Sequence, residues 1–166
     1  GIFAHCAQPE FTEEEQQSWS KLLLIDAVQD PGNVGTMIRT ASASGIDAVV
    51  LGKGSADPYN PKTVRSAQGA NFQIPVVRGD LLEWVVALQK RSIPVYGTAL
   101  HNATPVHEAE SREQFALLVG NEGSGVDPIL LQQADQNLVV PLYGKAESLN
   151  VAVATGILLY SLVPKN

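Results

Sequence analysis

The sequence contains a single cysteine, Cys6, among its 166 residues, so no disulfide can close within the chain. Its three histidines, His5, His101 and His107, lack the spacing of a zinc site, and surface or packing roles are expected for all four side chains. Positive charge is also scarce. Eleven Lys and Arg stand against seventeen Asp and Glu, a formal charge of −6 that argues against a self-sufficient, strongly basic nucleic-acid binder. Any RNA partner must then be held by a local patch or by something outside this chain. No apolar stretch reaches membrane-spanning length, and "GIFAHCAQPEFTEEEQQSW" has neither a basic n-region nor an apolar h-region. A soluble cytoplasmic protein with no membrane partner is expected. Two common signatures are missing as well: the G-x-x-x-x-G-K-[ST] phosphate loop and the G-x-S-x-G nucleophile elbow. "GKGSAD" and "GNEGSG" are glycine-rich without dinucleotide-binding spacing, so ATPase, hydrolase and ordinary dehydrogenase readings lose support.

What is present fits one domain with a substantial core, since 45% of the residues are hydrophobic. Six β-rich runs recur: "KLLLID" from Lys21, "DAVVL" from Asp47, "IPVV" from Ile74, "IPVYG" from Ile93, "FALLV" from Phe115 and "NLVVP" from Asn137. Most are continuously apolar, the pattern of strands covered on both faces. Helices are expected at about Val34–Ser44, Asp80–Arg91, Pro128–Ala134 and Ser148–Leu162. Alternating strand and helix imply an α/β domain with a mostly parallel sheet flanked by helices on both faces. Ligands of such sheets gather beyond the carboxyl ends of the strands. Residues 1–20, with the acidic run Glu13-Glu14-Glu15, read as a solvated leader joined to a domain over 21–166.

Three strand-to-loop junctions carry polar residues in apolar surroundings. In "DPGNVGTMIRTASASG", from Asp30, Pro31-Gly32 makes a turn, Asn33 is placed to cap a helix and Gly45 to end it in the left-handed conformation. Gly35, Ala41, Ser42 and Ala43 leave room for a close approach, and Arg39 falls one turn after Gly35 on the same face. Spacing alone leaves Arg39 open between a solvated charge and a functional one. In "LLVGNEGSGVDP", from Leu117, glycines 120, 123 and 125 allow positive φ and leave backbone groups accessible to a ligand. Glu122, the only charge inside that loop, could serve the next helix or orient a hydroxyl or amine. In "VVPLYGKAESLNVAVATGILLY", from Val139, Ser148 could be an N-cap, while Asn150 reads as a buried amide in need of partners on a helix apolar nearly all round.

Together the three junctions resemble the three motifs of SpoU-type (TrmH family) RNA ribose 2′-O-methyltransferases of the SPOUT superfamily. The match runs from about Leu22 to Tyr160. It comprises N-x-G-x-x-x-R-x-A at Asn33, Gly35, Arg39 and Ala41; G-N-E-G-x-G at Gly120 to Gly125; and P-x-x-x-x-x-x-S-L-N-V at Pro141 and Ser148 to Val151. "NPKTVRSAQGANFQIPV", from Asn60, also resembles a segment of that family. The resemblance implies a C-terminal deep trefoil knot from about Phe115 onward, and a homodimer with its active site near the subunit interface. It implies S-adenosyl-L-methionine as cofactor, with no metal, held by Thr98, Ala99, Leu100, Gly120, Asn121, Glu122, Gly125, Val140, Pro141, Leu142 and Leu149. It places Asn33, Arg39, Glu122, Ser148 and Asn150 in the catalytic group. In that family Arg39's counterpart is often assigned as the activating residue, yet a guanidinium is a poor base at neutral pH. Either the site lowers its pKa sharply, or Arg39 clamps a substrate phosphate and stabilises the oxyanion, and the second role is expected.

RNA contacts are expected from Arg39, Lys53, Lys62, Arg65 and Lys145. Relatives of this kind often carry an N-terminal RNA-binding domain, and "GIFA" at Gly1 resembles the segment just after it, so weak RNA binding is expected of these residues alone. The expected activity is methylation of a ribose 2′-hydroxyl in ribosomal RNA (23S), with transfer RNA next. The alternatives are a catalytically silent knotted RNA- or cofactor-binding module and a guanine-N1 methyltransferase of the same superfamily.

Overall fold

The structure, a computed structural model, describes residues 1–2 and 4–165. Seven strands form one sheet: β1 (Lys21–Ile25), β2 (Ala48–Leu51), β3 (Val76–Arg78), β4 (Val95–Thr98), β5 (Thr104–Pro105), β6 (Phe115–Val119) and β7 (Gln136–Val139). Their order across the sheet is β3-β2-β1-β6-β4-β7-β5, and every registered pair is parallel. The helices are α1 (Glu13–Ser18), α2 (Pro31–Ala43), α3 (Pro61–Ala67), α4 (Leu81–Lys90), α5 (Pro128–Gln133) and α6 (Val151–Leu162).

The continuous apolar runs have a direct physical cause here. Successive side chains of a strand point to opposite faces, and both faces are covered. Leu23, Ile25, Leu117 and Val119 pack with Met37, Ile38 and Ala41 of α2 and with Leu158, Leu159 and Leu162 of α6. Leu22, Leu24, Ala116 and Leu118 pack with Leu81, Val85 and Leu88 of α4 and with Leu130 of α5. The expected α/β class with a mostly parallel sheet and helices on both faces is therefore what the chain adopts.

Several local expectations change. The first twenty residues are not simply a solvated leader: α1 begins with a capping box between Thr12 and Glu15, and the buried Trp19 stacks on Trp84 at 6.1 Å between ring centroids. Glu13, Glu14 and Glu15 do stay exposed. Asp30, not Asn33, caps α2, its side chain accepting from the Asn33 N–H, and Gly45 does adopt positive φ (75°) after the helix. Asn150, not Ser148, caps α6, which therefore starts at Val151. The helix is also less enclosed than its composition suggests, because Val153, Ile157 and Tyr160 form an exposed apolar stripe.

Gly35 receives a neighbour from its own chain. A Cβ there would collide with the Thr63 carbonyl and lie 2.6 Å from Cβ of Ser66, so the glycine admits the α3 backbone. Helix α3 was not expected, although its Asn60-Pro61 start repeats the cap-then-proline signal of Asp30-Pro31 and Asp127-Pro128.

Candidate active site

The carboxyl ends of β4, β6 and β7 open into a cavity of about 440 Å3. The last ladder residues are Thr98, Val119 and Val139, so the backbone of Leu100, Gly120 and Leu142 lies beyond the paired strands. Of the eleven positions expected to hold a cofactor, ten line this cavity: Thr98, Ala99, Leu100, Gly120, Asn121, Glu122, Gly125, Val140, Leu142 and Leu149. Pro141 is not in the lining. Sequence reasoning missed the floor, where Thr155 and Leu158 of α6 meet Leu138 of β7, and it missed His101 on the loop after β4. Only the 3.6-residue period of α6 could have suggested Thr155 and Leu158, which share one helix face with Val151.

The glycine-rich loop is rigid for reasons its sequence makes clear. Asn121 and Gly125 exchange both backbone hydrogen bonds, at 3.1 and 2.9 Å, closing a tight turn with Gly125 at φ 73°. The Asn121 side chain accepts from the N–H groups of Gly123 (2.8 Å) and Ser124 (3.1 Å), and donates through Nδ2 to the Ala27 carbonyl (2.9 Å). That last bond ties the loop to the turn after β1. Gly120 must lack a side chain, since a Cβ would strike the backbone of Gly125 and Val126.

The loop presents Glu122 to α2. Asn33 Nδ2 donates to Glu122 Oε1 at 2.8 Å, and Asn150 Nδ2 donates to Asn33 Oδ1 at 3.0 Å. Asn150 Oδ1 in turn accepts from the backbone N–H groups of Ala152 (2.9 Å) and Val153 (3.2 Å) at the start of α6. One hydrogen-bonded chain therefore joins the three junctions singled out in the sequence. Asn150 is an exposed cap rather than a buried amide, and Glu122 serves α2 rather than α5, which Asp127 caps.

Ser148 lines the cavity. Arg39 is not brought into this group: it is exposed on α2, outside the cavity lining, with no side-chain partner among the described residues. Of the expected RNA contacts, Lys53, Lys62, Arg65 and Lys145 are all exposed. Lys62 reaches Asp30 Oδ2 at 3.4 Å beside the start of α2. The Asp30 carboxyl is held below its ordinary range, first by the Asn33 N–H, with burial opposing, and further by the Gly32 N–H and Lys62.

A parallel α/β domain with a mainly apolar cavity at its strand ends and a polar chain at the rim has the form of a small-molecule-binding domain. Residues 20–160 match the SpoU rRNA Methylase family, and the chain belongs to that family. It is 60% identical over 161 residues to the 23S rRNA (guanosine(2553)-2′-O)-methyltransferase RlmP of Bacillus subtilis (strain 168), covering 97% of this chain and 64% of that protein. It is 34% identical over 151 residues to the 23S rRNA (guanosine-2′-O-)-methyltransferase RlmB of Xanthomonas campestris pv. campestris, covering 90% and 61%. The crystal structure of the SpoU methyltransferase AviRb from Streptomyces viridochromogenes in complex with AdoMet superimposes with a TM-score of 0.82 at 31% identity, covering 93% of this chain and 61% of that one. The chain thus spans less than two thirds of the length of these relatives.

Proposed function

We propose that this chain transfers a methyl group from S-adenosylmethionine to a ribose 2′-hydroxyl of 23S ribosomal RNA, with a guanosine as the first target to test. The observation that carries the reading is the Glu122–Asn33–Asn150 chain at the rim of an apolar cavity of about 440 Å3. The likeness to the Bacillus and Xanthomonas relatives supports the choice of RNA and nucleoside.

The residues present suit the cofactor. The cavity lies within the roughly 300–1,000 Å3 range of small-molecule sites. Its walls are aliphatic, from Val119, Leu138, Val140 and Leu158, with backbone groups of three loops at the strand ends. Such walls take up an adenine ring and an aliphatic chain, and the backbone groups supply directional polar contacts. When bound, S-adenosylmethionine would supply an electrophilic methyl on a positive sulfonium. No metal is required for that chemistry, and no cluster of three or more His, Cys, Asp and Glu that could hold one occurs among the described residues.

The protein's own contribution is placement and polarisation of a weak nucleophile. Asn33, Glu122 and Asn150 form a fixed polar rim against which a ribose can be set, with Ser148 beside it on the cavity wall. Arg39, with no side-chain partner among the described residues, is available on α2 to hold a phosphate of the RNA by charge-assisted hydrogen bonds. Lys53, Lys62, Arg65 and Lys145 add local positive charge to a chain of net charge −6. The exposed stripe Val153, Ile157 and Tyr160 on α6 suits burial against a second copy, and a homodimer joined there would bring a second α2 and α6 near the rim. The C-terminal part from Phe115 onward is proposed to thread a trefoil knot. Its strand β6 inserts between β1 and β4, and the chain then returns from β7 to pack α6 on α2.

The test is methyl transfer from labelled S-adenosylmethionine to unmodified 23S ribosomal RNA, with the modified nucleoside identified by digestion. A 2′-O-methylnucleoside is expected. A methyl group found on a base would refute the ribose assignment.

A further inference from the structure

Charge is unevenly divided in this chain. Residues 31–46 carry α2, and residues 58–79 carry α3, the 3-10 turn Ala70–Phe72 and β3. Together these segments hold the cations Arg39, Lys62, Arg65 and Arg78 and no carboxylate, although acids outnumber bases seventeen to eleven in the whole sequence. The segments pack on one another. Helix α3 meets α2 at Gly35, and further along α2 Ser42 Oγ donates to Gln73 Oε1 at 3.3 Å. Arg39, four residues after Gly35 and three before Ser42, lies on the α2 face between those two contacts. Arg39 and Arg65 are both exposed, with no side-chain partner among the described residues.

Phe72 adjoins the Gln73 contact and is 71% exposed. The other described phenylalanines and tryptophans, Phe11, Phe115, Trp19 and Trp84, are buried or half-buried. Its exposure does not come from a loose segment. The Phe72 N–H donates to the Gly69 carbonyl at 3.0 Å, and the Gln73 and Ile74 N–H groups both donate to the Ala70 carbonyl, at 2.9 and 3.2 Å. Ala70 and Asn71 before the ring are buried, and Ile74 after it packs on the core. A fixed turn therefore holds a phenyl ring in solvent beside free cations. That pairing is the chemistry that binds unpaired nucleic-acid bases, the ring stacking on a base while the cations follow the backbone.

Resting on the ribosomal RNA reading above, we propose that Phe72 is a stacking platform for an unpaired base of the RNA, with Arg39 and Arg65 holding the phosphates beside it. From Asn33 at the cavity rim to Ser42 is nine residues of helix, about 14 Å along its axis. The stacked base therefore belongs to a nucleotide other than the reacting one, and Phe72 holds RNA without taking part in methyl transfer. Every base has a π-face, so the platform selects an unpaired base rather than a particular one.

The experiment measures methyl transfer to unmodified 23S ribosomal RNA, and binding of that RNA across a salt series, for the wild type, F72A, F72L, F72W and R65Q. Thermal melts, sedimentation and calorimetric S-adenosylmethionine affinity are measured on each. F72A and F72L should raise the RNA Kd and KM by about 5–150-fold, the loss of one base stack. Their kcat, cofactor affinity, melting temperature and oligomeric state should match the wild type. F72W should bind as the wild type does, and RNA should quench its added indole beyond any change from Trp19 and Trp84. Stacking releases no counterions, so F72A should keep the salt slope of binding, whereas R65Q should reduce it by about one.

A Kd within twofold of the wild type in F72A, or full binding by F72L, overturns the platform and leaves the methyltransferase reading intact. A wild-type dimer that dissociates on F72A places the ring in a protein interface and also overturns it. Quenching of F72W in a protein that binds 23S ribosomal RNA but methylates none of it supports the platform and overturns the methyltransferase reading. A folded wild type that binds no RNA overturns both.

Discussion

Asn150 performs two tasks that one substitution can separate. Its oxygen caps α6 and its NH2 holds Asn33. Asn150→Ala removes both. Losing an N-cap costs about 1 kcal/mol, and losing a hydrogen bond between side chains costs about 1 kcal/mol more. For a chain of this size that amounts to a fall in Tm of about 4–8 °C. Asn150→Asp keeps a good cap and adds a favourable charge at a helix N-terminus, about 0.3–1 kcal/mol, so its stability should stay within about 1 kcal/mol of the wild type. The rim, however, is broken as surely as by alanine. Asn33 would then sit between two carboxylates, and no orientation of its amide satisfies both.

The assay is chemical denaturation paired with methyl transfer on the same samples. The expected pattern is N150A unstable and inactive, N150D stable and inactive. Wild-type activity in N150D would refute the account of the rim, and wild-type stability in N150A would refute the account of the cap.

Gly35→Ala should destabilise despite a gain of about 1 kcal/mol in helix propensity, because the new Cβ meets the Thr63 carbonyl and Ser66; overpacking of about 1–3 kcal/mol leaves a net loss, read by urea denaturation. Trp19→Ala should cost about 3 kcal/mol, since the ring is buried and stacked on Trp84, and the same measurement tests whether residues 11–19 belong to the folded unit. Asp30 has a lowered pKa in the folded state. Its contribution is therefore full above the ordinary carboxylate range and lost as pH falls through the lowered value, so the stability gap between wild type and Asp30→Ala should narrow below about pH 4. Ile157→Asp should yield a folded monomer by analytical ultracentrifugation, whereas an unchanged dimer would move the interface elsewhere.

The sheet was legible because parallel strands buried on both faces leave continuous apolar runs, and each of the six runs became a strand. β5 and α3 were not, for different reasons. Thr104–Pro105 is a two-residue strand with no pattern of its own, while the seven residues of α3 carry a start signal but too few turns to display a period. The segments of the candidate site stood out because glycines and polar residues interrupt apolar runs. Their partners did not stand out. The Asn33 to Glu122 bond spans 89 positions and the Asn150 to Asn33 bond 117. Asn150 was misread as buried because its neighbours are apolar, yet a helix start supplies N–H groups that no side-chain pattern reveals. Gly35 was read as room for a close approach of another backbone or a ligand, and the backbone of a third helix of the same chain makes it.

The proposed activity requires the cavity at the ends of β4, β6 and β7 to take S-adenosylmethionine. Titration calorimetry of the wild type beside Ala154→Phe, whose ring would fill the cavity from α6, tests it most directly. One site per chain is expected in the wild type and none in the folded variant. No binding by the wild type at millimolar cofactor, or unchanged binding by Ala154→Phe, would contradict it.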